Sequence, residues 1–340
     1  MKKFIYIHRK SLKTSWLFMA VTLICVGIGL LSFVGLQIKP AQALATNYYV
    51  DPTGTNDVSH GTAIGTDAFE TIQYAINDSR VVAGDTINVA AGTYTEQVTV
   101  SKVLTLQGAG NTTTFINNVA IGAVVTIAAD NITVTGFTID GNNTDESYGV
   151  GNNGFDYTII KNCVITDFAY GIYFYNNATN GLIENVAIIT NINGAYGIYL
   201  ISTSDSTISG TNTITTNSQT GYGIYLDASF NNTISGINTI TTNGEDAHGV
   251  YLFESFDNTF SGTNITTTNT DAYGIYLNSS FDNTFSGTNT IITNGEMAYG
   301  AYLLIAHDNI ISGMNITTTN TDAYGIYLFE SPSNIVSGNT

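Results

Sequence analysis

Short runs of alternating apolar and polar residues recur along the chain at a fixed interval. A glycine followed by an apolar residue and a tyrosine recurs at spacings of 25 or 26 residues, and Ser-Gly pairs recur in phase with it. The glycines of this motif are Gly171, Gly197, Gly223, Gly249, Gly274, Gly300 and Gly325. Alternation with a period of two is typical of β-strands, and repetition at such an interval is typical of solenoids. The pattern therefore predicts stacked coils of short strands.

Columns through the repeat predict an inner and an outer face for each strand. The residue after each glycine and the residue two places further on are apolar, as at Ile224 and Leu226. Side chains alternate along a strand, so both belong to the core. A second core column begins at Leu182 and continues through Ile208 and Phe260. Because no coil contains a ten-residue helical pattern, the chain is predicted to be all-β, a parallel β-helix with coils of roughly 25 residues.

The third strand of each coil departs from this regularity. Its apolar residue follows Asn-Thr in the longer coils, as at Ile240, but follows Asn directly in the shorter coils, as at Ile265. A shift of one residue would turn that side chain to the opposite face of the strand. A local bulge is the expected adjustment.

The segment before the repeats is expected to cap them with a short helix. Asp67 is followed by Glu70 at the spacing of a helix capping box, and Ile72 and Ile76 then fall on one helical face. A helix near residues 67–79 would cover the core and the strand edges of the first coil. We therefore expect an N-terminal cap and first coils over 46–110 and β-helix repeats over 111–340, ending in mid-repeat.

The first 45 residues have the pattern of an export signal. A basic start precedes an apolar run from Trp16 to Leu36, and small residues then favour cleavage after Ala43 or Ala45. The run is also long enough to span a bilayer, so residues 1–45 are interpreted as a signal peptide or an N-terminal membrane anchor. With either interpretation the remainder is expected to be secreted, periplasmic or at the cell surface, with a membrane contact only through that segment.

The charge of the exported part excludes one class of partner. Charged residues are only 10% of the chain. Residues 46–340 contain 26 acidic residues and only three basic ones (Arg80, Lys102 and Lys161), which gives a net charge of −23. Such a surface repels nucleic acid and anionic membrane faces. Nucleic acid is therefore not an expected partner. The expected partners, polysaccharides or cell-surface glycans, are indicated by the tyrosines described below.

A column of asparagines is expected to be structural. Asparagine tolerates left-handed backbone at the corners of a coil, and stacked amides can hydrogen-bond one another along the axis. The members of this column are Asn180, Asn232, Asn258, Asn283, Asn309 and Asn334, interrupted by Ser206.

Tyrosines alternate with the core residues and are predicted to point outward as a ladder. Stacked rings stabilise each other by about 0.5–1.5 kcal/mol per pair. A flat aromatic strip is also a surface on which sugar rings could lie, which adds glycan contact as a second interpretation. The candidate contact residues are Tyr199, Tyr225, Tyr251, Tyr276 and Tyr302.

Aspartates recur at the position before the asparagine column. Aligned carboxylates repel each other unless they are solvated or bridged by a cation, and Ca²⁺ prefers clusters of oxygen ligands. No recognisable calcium-loop motif accompanies them, and the histidines are scattered. Solvated corners are the first interpretation, and a Ca²⁺ site at Asp257, Asp282 and Asp308 is the alternative. No other cofactor is expected.

The start of the exported part resembles a known superfamily. Tyr48-Tyr49-Val50-Asp51-Pro52, Phe69-Glu70-Thr71-Ile72-Gln73 and Ala83-Gly84-Asp85-Thr86-Ile87 are similar to the N-terminal cap and first coils of the pectin lyase-like β-helix superfamily. Pectin methylesterases and many exported proteins of unknown role share this opening. The later coils resemble repeats of carbohydrate-binding, sugar-hydrolase and periplasmic copper-binding β-helices. The resemblance implies a right-handed parallel β-helix.

The same resemblance implies catalytic motifs that this chain does not match. Pectate lyases use Ca²⁺-binding aspartates and a basic residue on a middle coil, where this chain has only Lys161, in a different context. Polygalacturonase-type hydrolases use Gly-His-Gly, for which this chain has Ala247-His248-Gly249. Two hypotheses remain. The first is a non-catalytic, adhesin-like surface scaffold that contacts glycans along its tyrosines. The alternative is a polysaccharide lyase, hydrolase or epimerase, which a non-repeating charged cleft would favour.

Overall fold

The structure, a computed structural model, describes residues 46–117 and 121–340, with the backbone alone at 142–146. The predicted signal peptide or membrane anchor at 1–45 lies outside the described residues. The regular secondary structure of the described chain is almost entirely parallel strands, which are wound into a solenoid and confirm the predicted β-helix. No helix in this part of the chain is long and apolar enough to cross a membrane.

Each complete coil contributes strands to three sheets, called faces A, B and C below. Face A contains twelve parallel strands, each hydrogen-bonded to its equivalent one coil away, as Ile208 is paired with Ile234. Its strands are Asn47–Val50, Thr86–Val89, Thr105–Gly108, Thr133–Thr135, Ile159–Lys161, Leu182–Glu184, Thr207–Ser209, Thr233–Ile234, Thr259–Phe260, Thr284–Phe285, Ile310–Ser312 and Ile335–Ser337.

Faces B and C share two long strands, Thr138–Asn153 and Val164–Tyr175, which turn the corner between them. The other strands of face B are Gly92–Thr95, Thr114–Asn117, Ala187–Thr190, Thr211–Thr216, Ile237–Thr242, Thr263–Thr267, Thr290–Thr293 and Asn315–Thr318. The other strands of face C are Val98–Val100, Gly122–Ile127, Tyr196–Ile201, Ile224–Asp227, Val250–Phe253, Ile275–Asn278, Ala301–Leu304 and Ile326–Phe329.

The core lies between the three faces and follows the predicted columns. Ile224 and Leu226 are fully buried, and Tyr225 between them is half-buried on the outer side. The second column is confirmed from Ile208 onward, but its first member was wrong. Ile183, not Leu182, pairs with Ile208 and is buried, because the coil between them has 25 residues.

The third-strand isoleucines all point inward, and no bulge separates the long coils from the short ones. Ile265 pairs with Ile240 on one side and with Ile291 on the other, and all three are buried. The shorter coil loses its residue at the preceding corner, at the position of Ile237, which is 57% exposed. A deletion there shortens the corner and leaves the register of the strand unchanged.

From Gly171 to Gly300, the repeating glycine of face C is required by close packing between coils. An added Cβ at Gly223 would overlap the side chain of Ile240 and the carbonyl oxygen of Gly249. The repeating glycine of the sequence motif is therefore a packing requirement, because no side chain fits at that position.

The capping helix is present but shorter than predicted. A 3-10 turn covers Gly65–Asp67, and the α-helix covers Ile72–Asn77 and buries its apolar side chains. The N-cap residue is Thr71, whose hydroxyl accepts a hydrogen bond from the Tyr74 amide, so the assignment of Asp67 was wrong.

A glutamate distant in sequence completes the helix cap. The Glu96 carboxylate accepts hydrogen bonds from the amides of Ile72 and Gln73 at 2.8 and 2.9 Å. A helix N-terminus has unpaired amides and a partial positive charge, which this carboxylate satisfies. Local spacing could not reveal a cap that comes from the following coil.

Candidate functional site

The outer side of face C carries the predicted tyrosine ladder. From Tyr199 to Tyr302, neighbouring rings are nearly parallel, with interplanar angles of 1 to 7° and centroids 4.7 to 5.2 Å apart. Strand register fixes this spacing, since Tyr225 pairs directly with Tyr251. At the C-terminal end the stacking is looser, with an angle of 36° between Tyr302 and Tyr327.

A second aromatic stack runs beside the first. It is formed by the residue before each repeating glycine, and its rings meet those of the first stack edge-on at 71 to 82°. We did not predict this stack from the sequence, although Tyr-Gly recurs and His248 replaces the tyrosine in one coil. Its regular members are Tyr196, Tyr222, His248, Tyr273 and Tyr299.

The two stacks determine what face C offers to a ligand. Parallel rings at these separations cover each other's faces, so sugar rings cannot lie flat along the ladder as the sequence suggested. Solvent meets ring edges and hydroxyl groups instead. Glycan contact at the candidate tyrosines stays a prediction, and it would proceed through those edges and hydroxyls.

Burial shifts the proton equilibria of both stacks. It raises the pKa of Tyr276 to about 12 and also raises the pKa of Tyr225, for which the nearby Asp227 is a further cause. Burial lowers the pKa of His248 to about 3. The His248 Nδ1 accepts a hydrogen bond from the Tyr273 amide at 3.1 Å, so its proton is on Nε2. The stacks are therefore neutral at ordinary pH.

Asp227 interrupts the uniformity of face C. Its Oδ2 accepts hydrogen bonds from the hydroxyls of Tyr199 at 3.0 Å and Tyr225 at 3.4 Å. The equivalent positions on the neighbouring coils are Ile201 and Phe253. One coil thus places a carboxylate where the adjacent coils place apolar groups, a departure that the sequence analysis did not single out.

The asparagine ladder is confirmed in the late coils. The Asn258 Nδ2 donates to the Asn283 Oδ1 at 3.0 Å, and the Asn258 Oδ1 accepts from the Asn232 amide at 2.9 Å. Asn180 was wrongly included, because it is exposed and Gly181 occupies the ladder position beside Ser206. The ladder is buried and structural.

The aspartate column, not the asparagine ladder, occupies the left-handed corners. Asp257, Asp282 and Asp308 are exposed and have φ values of 55 or 56°. Within the ranges that the structure describes, no group of three or more His, Cys, Asp or Glu side chains is arranged to hold a metal ion. Calcium binding at these corners stays a prediction.

A polar groove of about 490 Å³ lies on the outer side of face A in the first coils. It includes Lys161, and among the described residues no carboxylate lies within 4.0 Å of that ammonium group. The remaining lining of the groove is Thr105, Gln107, Gly108, Thr133, Thr135, Gly136 and Asn162.

Comparisons with known proteins agree with this architecture. A family model described as a right handed beta helix region matches residues 148–300. The A-module of the mannuronan C-5 epimerase AlgE4 from Azotobacter vinelandii is similar in structure, with a TM-score of 0.58 and 17% identity over 78% of this chain and 90% of that module. The chain has the right-handed parallel β-helix fold. XylC in complex with xylose gives a TM-score of 0.56 at 12% identity, covering 86% of each chain.

The chain also has a relative that is similar in sequence. Over 100 residues, which are 29% of this chain, the β-helix is 36% identical to a cell surface glycoprotein of Methanothermus fervidus. The matched stretch spans 15% of that glycoprotein. The structural neighbours, at 17% identity or less, establish the fold alone.

Proposed function

We propose that this β-helix is an exported, non-catalytic scaffold at the cell surface that contacts neutral glycans through face C. The observation that carries the proposal is the uniformity of the late coils, where the Tyr225 ring and the Asn258 amide each stack on their own equivalents. Side chains used in this way hold coils together and are not available for acid–base chemistry. The likeness to a cell surface glycoprotein supports the location.

Charge supports the choice of neutral glycans. The exported part has a net charge of −23, which repels polyanions such as pectate and alginate. Tyrosine edges and hydroxyls recognise hydroxylated ligands without charge complementarity.

The proposal is tested by offering purified residues 46–340 pectate, alginate and neutral glycans, with and without Ca²⁺. We expect no release of reducing ends or unsaturated products, and we expect antibody against the late coils to label intact cells. Turnover of any of these polymers would contradict the non-catalytic role, and labelling only after lysis would contradict the location.

The second candidate is a polysaccharide-active enzyme, and the groove around Lys161 is the observation that favours it. The groove is polar and carries Lys161, the one lysine or arginine side chain among the described residues after Lys102. The similarity to an epimerase module and to a xylose complex is consistent with saccharide chemistry. If turnover is found, Lys161→Ala should abolish it, whereas His248→Tyr and Asp257→Asn should not.

A further inference from the structure

We propose that Asp227, with the hydroxyls of Tyr199 and Tyr225, forms a subsite that binds the hydroxyl groups of a neutral glycan. The proposal rests on the proposed glycan contact of face C and assigns it to one coil. Asp227 is the single carboxylate in its column, between Ile201 and Phe253.

The stack does not need this carboxylate. The Tyr199 and Tyr225 rings are 4.7 Å apart at 1°, and the Tyr251 and Tyr276 rings are 4.7 Å apart at 7° although neither of their hydroxyls is hydrogen-bonded to a carboxylate. The geometry of the ladder is therefore the same with and without Asp227. A half-buried carboxylate among apolar neighbours costs free energy of hydration, so its presence requires another reason.

The hydrogen-bond pattern leaves one carboxylate oxygen of Asp227 available to a ligand. Both tyrosine hydroxyls donate to Oδ2, and no side chain or amide of the described residues donates to Oδ1 of Asp227. On the next coil, the Tyr251 oxygen accepts a hydrogen bond from Asn278 Nδ2 at 3.4 Å. The proton of the Tyr251 hydroxyl can therefore be donated outward. Acceptors on one coil and a donor on the next match the paired hydroxyls of a sugar, each of which donates and accepts.

The other ligand charges fit this surface poorly. An anion would be repelled by Asp227 and by the net charge of −23. A cation would be attracted by the same charges, but among the described residues Asp227 belongs to no group of three or more His, Cys, Asp or Glu side chains that could hold a metal ion. The parallel stacking also covers the ring faces that would attract an organic cation and presents ring edges, which carry positive partial charge. A neutral, hydroxyl-rich ligand remains.

The tyrosine hydroxyls stay protonated over the working range of such a site. Burial first, and Asp227 second, raise the pKa of Tyr199 and of Tyr225. Both hydroxyls therefore keep donating to Oδ2 until strongly alkaline pH, and the acceptor pattern is constant.

The test is affinity electrophoresis of residues 46–340 through gels that contain mixed-linkage β-glucan, galactomannan or arabinoxylan, with alginate as the anionic comparison. We expect retardation by at least one neutral polymer, insensitive to salt, and none by alginate. Asp227→Asn should weaken binding about tenfold or more, the loss typical of a hydrogen bond to a charged group. Tyr199→Phe combined with Tyr225→Phe should weaken it while preserving the stack.

Glu254→Gln removes one exposed charge nearby and should bind as the parent does. Far-ultraviolet circular dichroism and the thermal midpoint establish that each variant is folded. Equal retardation of Asp227→Asn and the parent would overturn the subsite and leave the glycan contact of face C standing. No retardation by any of the three neutral polymers would overturn both, and product release in the same gels would overturn the non-catalytic role.

Discussion

The late coils and the N-terminal coils satisfy their polar groups in different ways. In the late coils the partner is the same residue one coil away, as in the Asn258–Asn283 bond. In the first coils the partners are unlike and distant, as where Glu96 binds the helix amides and the Lys102 ammonium donates to the carbonyl of Asp78 at 2.8 Å. A stack of equivalent coils supplies its own partners, whereas the end of a stack requires residues specific to it.

The largest loss of unfolding free energy is expected from a substitution in the core of the late coils. Leu226→Asp places a carboxylate in the core between two coils, and we expect a loss of several kcal/mol in unfolding free energy, because the charge has no partner there. Tyr225→Ala, one residue away on the outer side, should cost about 1–3 kcal/mol, since it removes two ring stacks. Denaturant unfolding compares the two, and equal losses would show that inner and outer faces are misassigned.

Removing one rung of the asparagine ladder is expected to be the next largest effect. Asn258→Ala leaves the Asn232 amide and a buried carbonyl of the preceding coil without partners, and we expect a loss of about 3 kcal/mol. Thr259→Ala, at the exposed neighbouring residue, is the matched control. A loss below that of the control would mean that water replaces the ladder.

Acid should destabilise the late coils through His248. Its pKa is about 3 in the folded protein and about 6.5 in an unfolded chain, so below pH 6.5 the unfolded chain binds the extra proton. Stability should therefore fall between pH 6.5 and 3, by about 2 kcal/mol at pH 5. His248→Tyr should remove this part of the pH dependence in urea titrations from pH 7 to 4. An unchanged slope would contradict the shifted pKa.

The smallest loss of unfolding free energy is expected in the N-terminal coils, at the helix cap. Glu96→Ala removes the distant cap of the helix, which should cost about 1 kcal/mol and raise amide exchange over Ile72–Asn77. Exchange at Leu226 and its neighbours should not change, because coils communicate only with adjacent coils. Increased exchange in the late coils would show that the cap and repeats unfold as one unit.

The solenoid could be predicted from the sequence because several coils carry the same type of residue at the same position, and each repeat supports the same assignment to the inner or outer face. Ile224 and Leu226 are correctly placed for this reason. Leu182 and Asn180 were assigned to the wrong positions because the coil that follows them is one residue shorter than the coil after it. A column drawn at a constant spacing of 26 residues does not detect such a deletion. The helix cap was missed because Glu96 is near the helix only in the folded chain.

The functional site was harder to predict for a related reason. The columns revealed which tyrosines face outward, but the orientation of their rings follows from packing between coils and has no signature in the sequence. Asp227 was visible as a single unlike member of its column. Its significance required the positions of the Tyr199 and Tyr225 hydroxyls.

The parallel tyrosine rings also make the solenoid an array of coupled chromophores. The single tryptophan of the chain is Trp16, so light absorbed near 280 nm by residues 46–340 is absorbed by tyrosine. Rings held 4.7 to 5.2 Å apart exchange excitation far faster than they emit. Migration between the parallel rings of one stack preserves the polarisation of tyrosine fluorescence, whereas transfer to the second stack, whose rings lie at 71 to 82°, depolarises it. The anisotropy of that emission therefore reports on whether the two stacks are in place.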